Sequence, residues 1–250
     1  ILGEEINPVA VRTFERVKHY PPTGVDVFTG SVDIRNIDYA QMFFVHKDNP
    51  LSKLSLTELD GIFGEEHRRG GTNIRTWGQL GLTGDWADKP ITPYGWRIDD
   101  SFGIFLQEYL MEGSHRWNCA LREFSHIYRP DGTIYDHGQQ ILDALAKDRN
   151  GIAVSNIRYA GPDTKPLAIG VTPAGPFYQV TEQTLIDRTY PLARVIPAVI
   201  DRAPGMPVDP KVKEFLRYLL SREGQEALLR DGRYLPLSPV AAQKEVRKLD

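Results

Sequence analysis

A single cysteine, Cys119, among 250 residues excludes an internal disulfide framework. No apolar run approaches the roughly 18 residues that a membrane-spanning helix needs. Neither sign of charge dominates: 30 Lys and Arg stand against 33 Asp and Glu, for a net charge of −3. With an isoelectric point near 6.1, that balance argues against a nucleic-acid binder relying on bulk charge, so no nucleic-acid partner is expected. There is no low-complexity tract and no internal repeat. The chain opens at Ile1 with neither Met nor a basic–apolar–small leader pattern, and reads as a processed chain, a trimmed chain or a fragment.

What is present suffices for one large core or two smaller ones: 41% of residues are apolar and 10% aromatic. Asn7 as a cap and Pro8 in the first turn predict a helix over residues 9–17. Residues 39–45 read as a strand, closed by the turn pair Asn49-Pro50. Ser55 and Glu58 form a capping box ahead of Leu59, Ile62 and Phe63 at helical spacing, ending near Gly61 to Gly64. A further element is expected from Asn73, with Trp77, Leu80 and Leu82 as its buried face.

Residues 91–96 read as a strand and 102–111 as a helix with Phe105, Leu106, Tyr109 and Leu110 inward. Asp136 is placed to cap a helix carrying Ile141, Leu142 and Leu145. Residues 151–154 and 167–171 are buried-strand candidates. The apolar run after Thr189 reads as a strand interrupted by Pro197. Pro210 opens a helix with Val212, Phe215, Leu216 and Leu219 on its apolar face, and Ser221 or Glu223 starts another that stops at Gly232. Alternating strands and helices predict an α/β fold.

Signals for catalysis are missing. Ser101 lacks the preceding glycine of a G-x-S-x-G elbow, and the glycines at 61, 64, 70 and 71 have no following Lys-Ser/Thr to make a phosphate loop. Cys119, His115, His126 and His137 are the only metal-like set. A helix would put His115 and Cys119 on one face, but the spacing to the other histidines matches no compact zinc pattern. No metal and no cofactor are expected, and Cys119 reads as a small core residue.

The segment Tyr94-Gly95-Trp96-Arg97-Ile98-Asp99-Asp100-Ser101-Phe102-Gly103 is different. A strand leads through a turn into a helix, whose first N–H groups and dipole favour an anion. Asp100 is a candidate cap, Ser101 a hydroxyl donor and Arg97 a charged fork. Asp99 either orients Arg97 or accepts a proton from a protonated oxyanion. The other reading of the same residues is an ordinary capped helix beside a surface Arg–Asp pair.

The order of motifs is similar to that of the phosphate-binding protein family of bacterial ABC transporters. Three motifs carry the resemblance in its first half: Val45-His46-Lys47-Asp48-Asn49-Pro50-Leu51, then Leu54-Ser55-Leu56-Thr57-Glu58-Leu59-Asp60-Gly61-Ile62-Phe63, then Thr76-Trp77-Gly78-Gln79-Leu80-Gly81. Gly151-Ile152-Ala153, Tyr190-Pro191-Leu192 and the segment from Phe215 to Ser221 with Gly224-Gln225 extend it to nearly the whole chain beyond Tyr39.

The resemblance implies a two-lobed periplasmic binding protein architecture of type II, α/β in class, with no catalysis. It places residues 1–44 and 192–250 in lobe I and residues 45–191 in lobe II, joined by crossing strands near Phe43 to His46 and Pro191 to Val199. Arg97, Asp99 and Ser101 match the family's R-x-D-x-S anion loop, while Phe102 and Gly103 stand where the family has Gly-Thr. Ile1 to Pro8 resembles a segment that relatives reach only after a first α/β portion. The resemblance therefore implies a first lobe incomplete at its N-terminus, with Glu4 or Glu5 near a ligand contact. The expected ligand is inorganic phosphate or a related oxyanion. The expected partners are an ABC permease in the membrane and a complementary N-terminal segment or partner chain, with export to the periplasm or bacterial cell surface. The rival expectation is a non-transporting interaction or structural protein that kept this fold and lost tight anion binding.

Overall fold

In the computed structural model, which describes residues 8–34 and 38–250, the chain divides into two units built from discontinuous segments. Unit 1 takes residues 1–40, 181–189 and 193–250; unit 2 takes residues 41–180 and 190–192. The strand Met42–His46 straddles the expected boundary at 44/45 and lies wholly in unit 2. No helix among the described residues is long and apolar enough to cross a membrane.

Unit 1 is organised around one antiparallel pair, Thr23–Thr29 with Val195–Ile200. The pair's inward residues, Val25, Val27, Phe28, Ile196 and Ala198, pack with Leu216, Leu220, Leu237, Ala242 and Leu249 into one core. Pro197 does not interrupt its strand as expected: it lies in register with Asp26, next to a bulge between Asp26 and Phe28. A two-stranded sheet consists only of edges, where a missing N–H is tolerated.

Pro210–Leu220 begins with proline in its first turn, under the Asp209 cap. Phe215, expected inward, is largely exposed. Ser221 ends that helix and caps Arg222–Asp231 through the Gly224 N–H; Gly232 closes the second helix in the left-handed conformation that glycine adopts without penalty. Gln225 binds the layers together: its amide donates to the carbonyls of Val27 and Leu219, and its oxygen accepts from the Leu237 N–H. The helix Pro8–Lys18 matches the expected span and buries no residue. Its expected cap, Asn7, lies outside the described residues.

Unit 2 holds a five-stranded sheet in the order Arg122–Phe124, Thr92–Trp96, Gly151–Ser155, Met42–His46, Thr164–Pro166. The first three strands run parallel, and Met42–His46 is antiparallel to both of its neighbours. Met42–His46 and Gly151–Ser155 are buried throughout, as expected for central strands covered on both faces. The strand expected over 39–45 thus begins three residues later. Lys53–Ser55 pairs in parallel with Ala168–Gly170 in a second, three-stranded sheet.

The helix Leu56–Phe63 starts at the predicted capping box: the Glu58 carboxylate accepts from the Ser55 N–H at 2.8 Å, and Ser55 Oγ accepts from the Glu58 N–H at 3.2 Å. The element expected after Asn73 is only a single 3₁₀ turn, Trp77–Leu80. Trp77 is fully buried and donates to the Asn150 carbonyl, whereas Leu80 and Leu82 are half-buried.

Candidate functional site

The strand Thr92–Trp96 passes into a turn, and the helix Ser101–Tyr109 begins directly after it. The turn is shaped by neighbours close in sequence. The Asp100 N–H donates to the Arg97 carbonyl at 3.2 Å, and Asp100 Oδ1 accepts from the Gly103 N–H at 2.8 Å. Gln107, one turn further along the helix, donates to the Ile98 carbonyl. Trp96, 1% exposed, anchors the strand end by donating to Gln41 Oε1 at 2.6 Å.

Arg97, Asp99 and Ser101 are brought together within this one turn. The Arg97 guanidinium donates to both carboxylate oxygens of Asp99, at 2.8 and 2.5 Å. Both side chains are exposed, at 53% and 63%. The hydrogen bonds hold the Asp99 carboxyl below its usual range and raise Arg97 above its own. Asp99 is therefore paired with Arg97 through both of its oxygens. Ser101 stands exposed at the first helical position.

The other two expected contacts serve the scaffold. Phe102 is half-buried, its ring 4.8 Å from that of Trp96. Gly103 is buried, and a Cβ on it would lie 2.2 Å from the Arg97 carbonyl oxygen. Its lack of a side chain is what lets the helix close onto the turn. Glu4 and Glu5 lie outside the described residues.

Asp100 and His137 lie closer to the loop chemistry than sequence reasoning placed them. His137 opens the helix His137–Leu145, whose cap is Asp136, as predicted. Its Nδ1 lies 3.7 Å from Asp100 Oδ2, and its ring packs against Trp96 with centroids 4.6 Å apart. Burial raises the Asp100 carboxyl above its usual value, against the lowering effect of the Gly103 and Phe102 N–H groups. Burial also brings His137 down to about 4, with the neighbouring His126 acting in the same direction. The available sequence signal was a shared one: two helices, each opened by an aspartate cap.

Of the four residues His115, Cys119, His126 and His137, only the last two fall together, beside Asp136. Residues 115–119 are not helical, so His115 and Cys119 share no helix face. Cys119 is exposed, not a core residue. His115 Nδ1 instead pairs with Gln107 Oε1 at 2.9 Å.

Comparison with known proteins adds context to this geometry. The model of the PBP superfamily domain matches residues 40–223. The Phosphate-binding protein PstS of Pseudomonas aeruginosa is 31% identical over 250 residues, which span 99% of this chain and 70% of that protein. Among solved structures, an ABC-type phosphate transport receptor from Vibrio cholerae aligns with a TM-score of 0.57 at 12% identity, covering 93% of this chain and 77% of that one. PstS from Borrelia burgdorferi aligns with a TM-score of 0.55 at 13% identity, covering 87% and 72%. At these identities the two structures speak to the fold alone.

Proposed function

The chain belongs to the PBP superfamily and, within it, to the phosphate-binding proteins that include PstS, and we propose that it captures inorganic phosphate outside the cytoplasmic membrane for delivery to an ABC permease. The 31% identity across essentially the whole chain carries this reading. It is a binding protein, not an enzyme: the relatives it matches are named as phosphate-binding proteins and a transport receptor. The rival reading, a structural protein that has lost its ligand, draws no support from these relatives. A place in the periplasm or on the cell surface follows from the same role, as does a permease partner.

The loop provides the chemistry for an oxyanion. Arg97 presents a planar fork suited to two oxygens of one anion, and in this reading it turns from Asp99 to the ligand. Ser101 adds a hydroxyl donor at the start of a helix whose dipole favours negative charge. Asp99 holds the guanidinium at this turn until the anion takes its place. The lobe assignment implied by the family, with residues 45–191 as one lobe and the remainder as the other, belongs to the same proposal.

Affinity in this 250-residue chain should be modest, because Arg97 must give up Asp99 and the Gly103 N–H is already taken by Asp100. A few charge-assisted bonds in an exposed site correspond to a dissociation constant of about 1 mM, or roughly −4 kcal/mol. Titration of the ¹⁵N-labelled chain with inorganic phosphate, followed by NMR, tests this. The amides of Ser101 and its neighbours should shift, and Arg97→Ala should weaken binding about tenfold, equivalent to roughly 1.4 kcal/mol. Unmoved loop amides, or an affinity indifferent to Arg97→Ala, would remove the loop from the site.

A further inference from the structure

We propose that His126, Asp136 and His137 form a binding site for one divalent transition-metal ion, of the zinc type. One ligand atom from each residue lies within 4.8 Å of those of the other two. Two imidazoles and a carboxylate are a donor set suited to zinc, and three protein ligands leave a fourth position for water. Bonds of about 2.0–2.2 Å place tetrahedral donors roughly 3.4 Å apart, so modest side-chain rotation closes the site.

The surroundings favour a cation. The two imidazole rings lie against each other, 3.9 Å between centroids, so two nitrogen donors of the kind zinc favours meet at one place. The His137 side chain is only 12% exposed, and Asp100 Oδ2 lies 3.7 Å from its Nδ1. With a carboxylate beside Nδ1, the proposed ligand atom is Nε2, and Asp100 would serve as the outer carboxylate that orients a ligating histidine. Asp136 caps its helix with Oδ1, which accepts from the Gly138 N–H at 2.9 Å, and offers Oδ2 to the ion. His126 Nδ1 takes only a long hydrogen bond, 3.3 Å, from the His137 backbone N–H, which the metal replaces. The carboxylates of Asp136 and Asp100 together offset the unfavourable positive end of the helix.

This proposal does not rest on phosphate capture and is tested in phosphate-free buffer. Chelator-treated protein is titrated with ZnCl₂ by calorimetry, and with CoCl₂ to read the visible bands of low-coordinate cobalt. One saturable equivalent is expected, reversed by EDTA. His126→Ala and His137→Asn, each checked for folding by circular dichroism, should weaken zinc about tenfold or more, while His115→Gln and Cys119→Ser should leave it unchanged. Absence of saturable uptake, loss in only one of the two site variants, or loss in the His115 and Cys119 controls would each overturn the assignment.

Discussion

Asp100 caps the helix that begins at Ser101 by accepting the Gly103 N–H at 2.8 Å, so a carboxylate of the chain itself occupies the donor an anion would otherwise use. A buried acid with a raised pKa holds more protons folded than unfolded. Its contribution to stability therefore falls as pH rises from its ordinary value of 3.8 through the folded value. Asp100→Asn keeps a cap acceptor and removes the charge. At pH 7 it should be at least as stable as the parent in urea melts and bind phosphate more tightly. Asp100→Ala, without the cap, should be less stable than Asp100→Asn by about 1 kcal/mol.

His137 has the opposite proton balance. Its folded pKa, near 4, lies below the ordinary 6.5, so the unfolded chain binds the extra proton. Stability from this group is complete above pH 6.5 and is lost as pH falls toward 4. At roughly 1.4 kcal/mol per pKa unit, the loss approaches 3 kcal/mol. Urea midpoints between pH 7 and 4.5 should fall steeply for the parent and less so for His137→Asn; parallel curves would assign the acid sensitivity to other groups.

Gly103→Ala tests the close approach of helix and turn. The added Cβ would meet the Arg97 carbonyl oxygen at 2.2 Å, and backbone cannot swing aside as a side chain does. Overpacking of this kind costs about 3 kcal/mol, visible as a lowered melting temperature. An unchanged melting temperature would mean that the turn relaxes without cost.

Ser55→Ala removes one half of the reciprocal cap on Leu56–Phe63. Ser55 is fully buried, so the Glu58 N–H loses its acceptor where water cannot easily replace it. A loss of about 1–2 kcal/mol is expected from chemical denaturation. Ser55→Thr, which retains the hydroxyl, should recover most of it.

The amino-acid sequence by itself determined the local events. Ser55, Asp100, Asp136 and Ser221 each cap the helix that was read from them, and Pro210 and Gly232 mark a start and a stop. These features are legible because the unsatisfied N–H groups at a helix start find partners two or three residues away. The central strands Met42–His46 and Gly151–Ser155 were legible from apolar runs, although the start of the first was misplaced by three residues. The order of weak motifs was legible as a family resemblance, and with it the α/β class.

Tertiary structure decided everything that depends on distance through space. It left Cys119 exposed, although its residue type suggested a core position, and it gave Pro197 an edge where no N–H is needed. It reduced the segment after Asn73 to a single 3₁₀ turn around the buried Trp77. It set His126 against His137 across eleven residues of chain and Asp100 against His137 from two different helices. Neither pairing has a sequence period, since the spacing of such residues is set by how the intervening strands and loops fold back and not by the repeat of a helix or strand.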